Sequence, residues 1–254
     1  MYKRQVYDIT LDGAKMHMEG TTYFENGDLM DTKEYIENIN TTFCKYIPEN
    51  TVAAVACGKL KGAFMEQIKK SLAPAAAPYL DAWNGTLSIS YALPADYRRL
   101  LQKEDLHITV TVQYDKAKAM EILDMAATQL PGAKRQGDKV TLDLGNGVSI
   151  NAAYTDDMLI ISTDQIAKHN AVREDMFKGY SMALFVDADR NNALVQGLGL
   201  PFGFKLDSRS KDEKGYADIV LDGSEQPFIE SLLRLATDTA LQRSIVAKAS
   251  ELEQ

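Results

Sequence analysis

The chain has 254 residues, of which 45% are hydrophobic and 25% are charged, and its formal net charge at pH 7 is −8. These proportions are typical of folded globular proteins and exclude an intrinsically disordered chain. No stretch reaches the roughly 18 consecutive apolar residues that a membrane-spanning helix needs, and the negative charge repels phosphate backbones. We therefore expect neither a transmembrane segment nor a nucleic-acid partner.

The first five residues, Met1 to Gln5, match no part of the pattern that follows them. They resemble the translated adapter that often precedes proteins assembled from environmental DNA. We therefore expect that the natural chain begins further upstream and that the printed start carries no information on a signal peptide.

Residues 6–131 are predicted to form a first unit. It opens with a hairpin, because apolar and polar residues alternate on both sides of the turn Asp12-Gly13. The hairpin is followed by a helix, a strand, a helix, two strands and a helix, at about residues 32–46, 51–57, 59–72, 87–93, 106–114 and 116–130.

Residues 139–236 are predicted to form a second unit with the same element order, turn position and strand parity. Its hairpin turns at Gly145-Asn146, and it carries one further strand, 158–162, before a helix over residues 164–177. We expect an α+β fold in which two tandem copies of a β-β-α-β-α-β-β-α unit form mainly antiparallel sheets with helices on one face.

The two cysteines are predicted to be free thiols. Cys44 lies near the end of the first helix, and Cys57 ends the strand that follows. At about 3.3 Å per strand residue they lie too far apart for a disulfide, which needs Cα atoms within about 7 Å.

Neither a metal nor a cofactor is expected. Residues 187–191 resemble the opening of a calcium loop, but Asn192 stands in place of its glycine and Leu198 in place of its closing glutamate. The glycines at 197, 199 and 203 run from helix into strand, the reverse of a dinucleotide loop.

No motif in the sequence indicates catalysis. His17, His107 and His169 lie on polar faces without catalytic spacing, and no nucleophile elbow occurs. A Ser/His/Asp site assembled in space stays open as an alternative, because such sites are recognised by geometry and not by sequence order.

Two segments are candidates for contact with a ligand or partner. Ser88, Ser90, Thr109 and Thr111 share the sheet face opposite the predicted helices, which gives either a hydroxyl-rich binding surface or an ordinary solvated face. Tyr79 and Trp83 lie in or beside a Pro/Ala loop, where they either contact a ligand or pack on their own domain.

Residues 237–254 are predicted to form a C-terminal amphipathic helix. Leu241, Ile245, Ala249 and Leu252 form one apolar stripe. An isolated helix of this length is marginal in water, so the stripe packs either on the rest of the chain or on a partner.

The segment from Tyr46-Ile47-Pro48-Glu49-Asn50 through the strand 51–57 to Lys59-Leu60-Lys61-Gly62, together with Phe185-Val186-Asp187 and Asn191-Asn192-Ala193-Leu194, resembles a repeat of uncharacterised cell-envelope lipoproteins of Bacteroidetes. The resemblance implies a lipid-anchored protein at the periplasmic or outer-membrane envelope, with no known enzyme activity. We therefore expect a non-catalytic protein that binds a protein or glycan partner or has a structural role. The alternative is a hydrolase with a spatially assembled site.

Overall fold

The computed structural model describes residues 3–94, 96–99, 102, 105, 107–145, 147–170 and 173–250. This part of the chain contains twelve strands, β1 to β12, which are Lys3–Asp12, Lys15–Phe24, Thr51–Cys57, Trp83–Ala92, His107–Tyr114, Ala133–Gln136, Lys139–Gly145, Val148–Thr155, Met158–Ser162, Met182–Ala188, Gly203–Lys211 and Lys214–Asp222. Its α-helices, α1 to α7, are Gly62–Ser71, Ala77–Asp81, Lys116–Gln129, Glu174–Phe177, Ala193–Leu198, Phe228–Thr237 and Thr239–Ser250. No helix in the described ranges is both long enough and apolar enough to cross a bilayer.

The strands join in one sheet with the order β1-β2-β12-β11-β10-β3-β4-β5-β9-β8-β7-β6. Every neighbouring pair is antiparallel. The predicted α+β class and antiparallel pairing are therefore confirmed. The two predicted units share this single sheet, because β2 pairs with β12 and β5 pairs with β9.

The two faces of the sheet carry separate cores. On the front face, Ala54 and Ala56 pack with Phe43 and with Phe177 of α4. On the back face, the neighbouring residue Cys57 packs against a cluster that includes Met65 of α1. Successive strand residues point to opposite faces, so the apolar run of β3 contributes to both cores, and Val55 on the back face keeps 39% of its exposure.

The expectation that helices lie on one sheet face is therefore wrong. Helices α1 and α3 contribute Met65 and Leu123 to the back core, whereas α4 and the 3-10 turn Thr41–Tyr46 contribute to the front core.

The predicted helix at residues 32–46 is also wrong. The segment forms two short 3-10 turns, Thr32–Glu34 and Thr41–Tyr46. Between them the backbone donates to other parts of the chain: Glu37 to the carbonyl of Lys59 at 2.8 Å and Ile39 to that of Tyr180 at 2.7 Å. Long-range hydrogen bonds have replaced the internal bonds that a helix needs.

The helix predicted over residues 164–177 forms only at its end, as α4. The segment before it lies across the front face and is fastened by single hydrogen bonds. One of these joins the amide of His169 to the carbonyl of Lys45 at 2.7 Å. Within this segment, Ile166 packs against the front core, whereas Ala167 is exposed.

Both cysteines are free, as predicted. Cys44 is buried in the front core, and its burial, together with the nearby Glu174, raises the pKa of the thiol to about 12. Cys57 is half-buried on the back face, where burial also raises its pKa.

Candidate functional site

A pocket of about 490 Å³ opens on the front face, where β5 and β9 meet the segment that follows β9. Its volume lies within the roughly 300–1,000 Å³ that is typical of small-molecule sites. The pocket is lined by Tyr46, Pro48, Asn50, His107, Thr109, Ile160, Ser162, Asp164, Gln165, Ile166, Ala167 and His169. It brings together two of the three histidines and is our candidate functional site.

A histidine–carboxylate pair forms the polar edge of the pocket. Thr109 of β5 lies opposite Ser162 of β9. Because the two strands are antiparallel, His107, two residues before Thr109, lies beside Asp164, two residues after Ser162. The imidazole Nδ1 lies 2.8 Å from Asp164 Oδ1, and the two side chains are 30% and 36% exposed. This bond orients the ring and occupies Nδ1, which leaves Nε2 as the nitrogen available to a ligand.

Ser162 lies beside this pair but is engaged in the sheet. Its hydroxyl is 2.8 Å from that of Thr109 and accepts a hydrogen bond from the amide of Asp164 at 3.1 Å. The residue is buried, and none of the hydrogen bonds between described residues joins it to His107. Serine, histidine and aspartate therefore line one pocket without the serine–histidine bond of a nucleophilic triad.

Tyr46, which lines the pocket, is held in place through Asp156, and we call the contacts of Asp156 with Tyr46 and Lys168 the clasp. The carboxylate accepts hydrogen bonds at 2.8 Å from both Lys168 Nζ and the Tyr46 hydroxyl. Lys168 first, and Tyr46 second, hold the pKa of Asp156 below its usual range. Burial and the bond to Asp156 raise the pKa of Tyr46, although Thr155 opposes this shift. The clasp ties the segment after β9 to the turn between β8 and β9.

The pocket lining has one carboxylate and no Lys or Arg among the described residues. The carboxylate is already paired with His107, while Asn50 and Gln165 supply uncharged donors and acceptors. Ile166 and Pro48 supply apolar surface. Such a lining suits a neutral polar molecule better than a phosphate or a sulfate.

The predicted hydroxyl-rich surface is buried rather than exposed. Ser88, Ser90, Thr109 and Thr111 retain only 2%, 3%, 5% and 1% of their exposure. With Ser162 they form what we call the hydroxyl patch, which lies beneath the turn Thr41–Tyr46 and the segment after β9. The prediction failed because it treated the front face as open and missed this covering layer.

Tyr79 and Trp83, the predicted aromatic ligand contacts, both contact other residues of their own chain. Trp83 is 8% exposed and belongs to the back core with Tyr114. Tyr79 donates its hydroxyl to Glu121 at 2.8 Å, and its backbone carbonyl accepts from the Tyr114 hydroxyl. The hydrogen bond to Glu121 raises the pKa of Tyr79. The structure brings neither residue to the His107 pocket.

Leu241 and Ile245 are both half-buried on α7, which packs against α5 and α6 of the same chain. The stripe is therefore covered at least in part by its own chain, and Leu252 lies outside the described residues.

Sequence reasoning missed Asp164 and Ser162 as parts of a site. Asp164 was expected to begin a helix, and Ser162 to end an ordinary strand. The alternation of β5 was the one available signal, because it puts His107 and Thr109 on the same face of the sheet as residues of the strand that pairs with β5. That partner strand is not adjacent in sequence.

His17 makes a similar pair elsewhere, with its Nδ1 2.6 Å from Asp218 Oδ1, outside the pocket. Within the described ranges, no group of three or more His, Cys, Asp or Glu side chains is placed to hold a metal ion.

No family model, no curated protein and no solved structure matches this chain.

Proposed function

We propose that this protein is a non-catalytic binding protein that holds a small, neutral, hydroxyl-rich ligand, such as one sugar unit, in the His107 pocket. The observation that carries the proposal is the hydrogen-bonded His107–Asp164 pair at the edge of a pocket whose other polar groups are uncharged. A glycan is one of the partners expected from the resemblance of residues 46–62 and 185–194 to the lipoprotein repeat.

The hydrogen-bonding groups fit such a ligand. A sugar hydroxyl both donates and accepts, and so do the Asn50 and Gln165 side-chain amides. His107 Nε2 offers a further contact whose direction is fixed by the bond from Nδ1 to Asp164. Ile166 and Pro48 can cover the apolar faces of a sugar ring, as the mixed lining of small-molecule sites usually does.

A second candidate function is hydrolysis, favoured by one observation: Ser162, His107 and Asp164 line the same pocket. Against it, the Ser162 hydroxyl is buried and bonded to Thr109 and to the Asp164 amide. A nucleophilic serine needs its proton within reach of the base, so this candidate requires a rearrangement of β9.

The test is a binding panel of neutral mono- and disaccharides, measured by isothermal titration and by amide chemical shifts in the full chain. We expect shifts at residues 107–109 and 162–169, and about tenfold weaker binding for His107→Ala. A hydrogen bond contributes about 0.5–1.5 kcal/mol, and tenfold weaker binding corresponds to about 1.4 kcal/mol.

His17→Ala is the matched control, because it removes an imidazole that is also paired with an aspartate but lies outside the pocket. Equal losses in the two variants, or no binding by any sugar, contradict the proposal. Turnover of a chromogenic ester or glycoside that disappears in both His107→Ala and Ser162→Ala establishes the hydrolase instead.

We also propose a cell-envelope location, supported by the resemblance of residues 46–62 and 185–194 to the Bacteroidetes lipoprotein repeat. Sequencing the genomic region upstream tests it. A signal peptide followed by a lipobox cysteine supports this location, and a chain start without either contradicts it.

We further propose that the two halves are copies of one ancestral unit. The support is the sheet order, which reads β3-β4-β5 in one direction from its centre and β10-β11-β12 in the other. A helix, α3 or α6, follows the last strand of each set, and a hairpin lies beside that strand. The hairpin beside β5 is β8–β9, so in this proposal the first hairpin corresponds to β8–β9 and not to β7–β8, the hairpin predicted from the sequence. Superposing residues 51–130 on residues 182–237 tests the proposal, and a failure of the strands and helices to overlay contradicts it.

A further inference from the structure

A second pocket, of about 310 Å³, opens on the back face of the sheet, where β1, β2, β12 and β11 run side by side. Tyr7, Gly20, Gly215 and Ser210 pair in register across these strands, and all four line the pocket. The same row of paired residues continues through β10 to Cys57, which packs in the back core. This back-face pocket is therefore separate from the candidate site, which opens on the front face.

The backbone does not require the glycine at position 215. A glycine inside a strand weakens it, and often marks a bulge or a place where a ligand or another backbone approaches closely. Gly215 pairs in unbroken register with Ser210 on one side and Gly20 on the other, so it forms no bulge. Its φ is not positive, and an added Cβ atom would meet nothing nearer than the Gly20 carbonyl oxygen, at 4.0 Å. The space that a side chain would fill is open to a ligand.

Gly20, the neighbour of Gly215 on β2, is covered instead. An added Cβ atom there would come within 2.7 Å of two carbons of the Tyr7 ring, so the ring lies over Gly20 and leans inward from β1. The ring keeps 52% of its exposure and forms a wall beside the open space above Gly215. Tyr7 follows the five leading residues that resemble an adapter, so a residue of the natural chain forms this wall.

The pocket also carries hydroxyl groups that the protein does not use. Ser208, Ser210 and Thr22 line it and are half-buried, and none of the hydrogen bonds between described residues uses their side-chain oxygens. Such hydroxyls each donate one hydrogen bond and accept two. Ala217, which pairs with Ser208, and Met18, which pairs with Ala217, supply apolar surface next to them.

The charged groups at the back-face pocket do not favour an ionic ligand. Lys214 is paired with Glu19, so an anion meets no unpaired Lys or Arg among the described lining residues. Glu213 is exposed, and a carboxylate that water solvates attracts a cation only weakly. The volume lies at the lower end of the range for small-molecule sites, so the pocket suits one ring and not a longer chain.

We propose that the back-face pocket binds one uncharged sugar unit, which lies on Gly215 beside the Tyr7 ring. The C–H groups of a sugar ring pack on the bare backbone of Gly215 and on the aromatic wall, while its hydroxyls bond with Ser208, Ser210 and Thr22. A purely apolar ligand covers these three hydroxyls without giving them partners, which costs free energy. The site does not depend on the His107 pocket, because the two lie on opposite faces.

The test is a titration of the full chain with glucose, galactose and N-acetylglucosamine, followed by amide chemical shifts. We expect shifts at residues 18–22, 208–210 and 215–217. Gly215→Val should bind about tenfold more weakly at this pocket, because the added side chain occupies the place of the ligand, and its melting temperature should not fall. His17→Ala is the matched control, because it changes β2 on the front face, and we expect unchanged binding at the back-face pocket.

Tyr7 provides a second pair of variants, which decides the question if Gly215→Val does not fold. Tyr7→Ala removes the wall and should bind about fivefold more weakly, whereas Tyr7→Phe keeps the ring and should bind like the wild type. Equal affinities of these two variants overturn the proposal.

The site also fails if folded Gly215→Val binds unchanged, if His17→Ala loses as much, or if phenol binds more tightly than every sugar. Shifts confined to residues 107–109 and 162–169 overturn the back-face site and leave the proposed function of the His107 pocket intact. Shifts confined to the back-face pocket do the reverse.

Discussion

The front face of the sheet is one continuous surface with two chemistries, one on each side of its centre. From Ala54 of β3, the residues paired in register toward one edge are Ser90, Thr109, Ser162 and Asn151. In the other direction they are Phe185, Asp207, Asp218 and His17. We call His17, Asp187, Asp207, Arg209 and Asp218 the charged patch, as distinct from the hydroxyl patch.

The two patches differ in how completely they are covered, because the charged patch is covered only in part, by Arg173, which pairs with Asp187 at 3.0 Å and with Asp207 at 3.1 Å. The side chains of Asp207, Arg209 and Asp218 keep 30%, 27% and 38% of their exposure, whereas no residue of the hydroxyl patch exceeds 5%. Water can solvate the charged patch, so its ion pairs need not be complete. Groups in the hydroxyl patch are cut off from water and must satisfy each other.

This difference explains where the pocket lies. The segment that covers the hydroxyl patch leaves a gap at its outer end, beside His107 and Asp164, and the gap is the pocket. Arg173 covers the charged patch only at Asp187 and Asp207, so the His17–Asp218 pair faces solvent with 47% and 38% exposure. The same pair of residue types is therefore a candidate ligand contact in one place and a surface ion pair in the other.

We call the turn Thr41–Tyr46, the segment after β9 and α4 the cover, because they lie over the front face of the sheet. The largest effect that we predict comes from loosening this cover. Phe177 is fully buried, and its ring centroid lies 5.0 Å from that of Phe43 and 6.0 Å from that of Phe185. Phe177→Ala should lower the free energy of unfolding by about 3–5 kcal/mol, because it leaves a cavity between the cover and the sheet. Urea unfolding measures this loss. A loss below about 1 kcal/mol contradicts the idea that the cover is anchored here.

A smaller effect is predicted inside the hydroxyl patch. The Ser88 and Thr111 hydroxyls lie 2.8 Å apart. Thr111→Val keeps the side-chain shape but leaves the Ser88 hydroxyl buried without its partner, which should cost about 1–3 kcal/mol of unfolding free energy. Ser88→Ala combined with Thr111→Val should lose less than the single Thr111→Val variant. If the double variant loses more, the two hydroxyls do not act as a pair.

The sequence predicted the strands far better than it predicted the cover. Alternation of apolar residues located β4 and β5, and the apolar run at 51–57 located β3. The segments 32–46 and 164–177 carry apolar residues at helical spacing, yet both are largely non-helical. Their backbone amides bond to distant residues, such as Ile39 to Tyr180, and those partners are not visible in the local pattern.

The candidate site was predictable in part for the same reason. The face shared by Ser88, Ser90, Thr109 and Thr111 was recognised from strand parity, and these residues do lie together. Their burial depends on a layer whose path follows from tertiary contacts. Asp164 could be paired with His107 only after β9 was known to lie beside β5.

The charged patch provides the contrasting prediction. Asp218 Oδ2 accepts from Arg209 Nη2 at 3.0 Å, and Asp218 Oδ1 pairs with His17. Asp218→Asn keeps the shape and removes the charge, and it should change the free energy of unfolding by no more than about 1 kcal/mol, because half-exposed ion pairs are weak. Added salt should reduce this difference further. A loss as large as that of Thr111→Val contradicts the distinction between the patches.

The smallest effect concerns the clasp on Asp156, which ties Lys168 of the segment after β9 and Tyr46 to the turn between β8 and β9. Because Lys168 and Tyr46 hold the pKa of Asp156 below its ordinary value of 3.8, the charged carboxylate favours the folded state above that value. This contribution is lost as the pH falls through the lowered pKa. Lys168→Ala removes the larger of the two causes, so the pKa of Asp156 should rise toward its ordinary value, and the clasp should weaken at a higher pH than in the wild type. An NMR titration of the Asp156 carboxyl carbon, with the exchange rate of the His169 amide as the readout of the cover, measures both effects.

Lys178→Ala is the control, because Lys178 is exposed and lies outside the pocket lining. An unchanged Asp156 titration in Lys168→Ala, or an equal change in Lys178→Ala, shows that the clasp does not hold the cover.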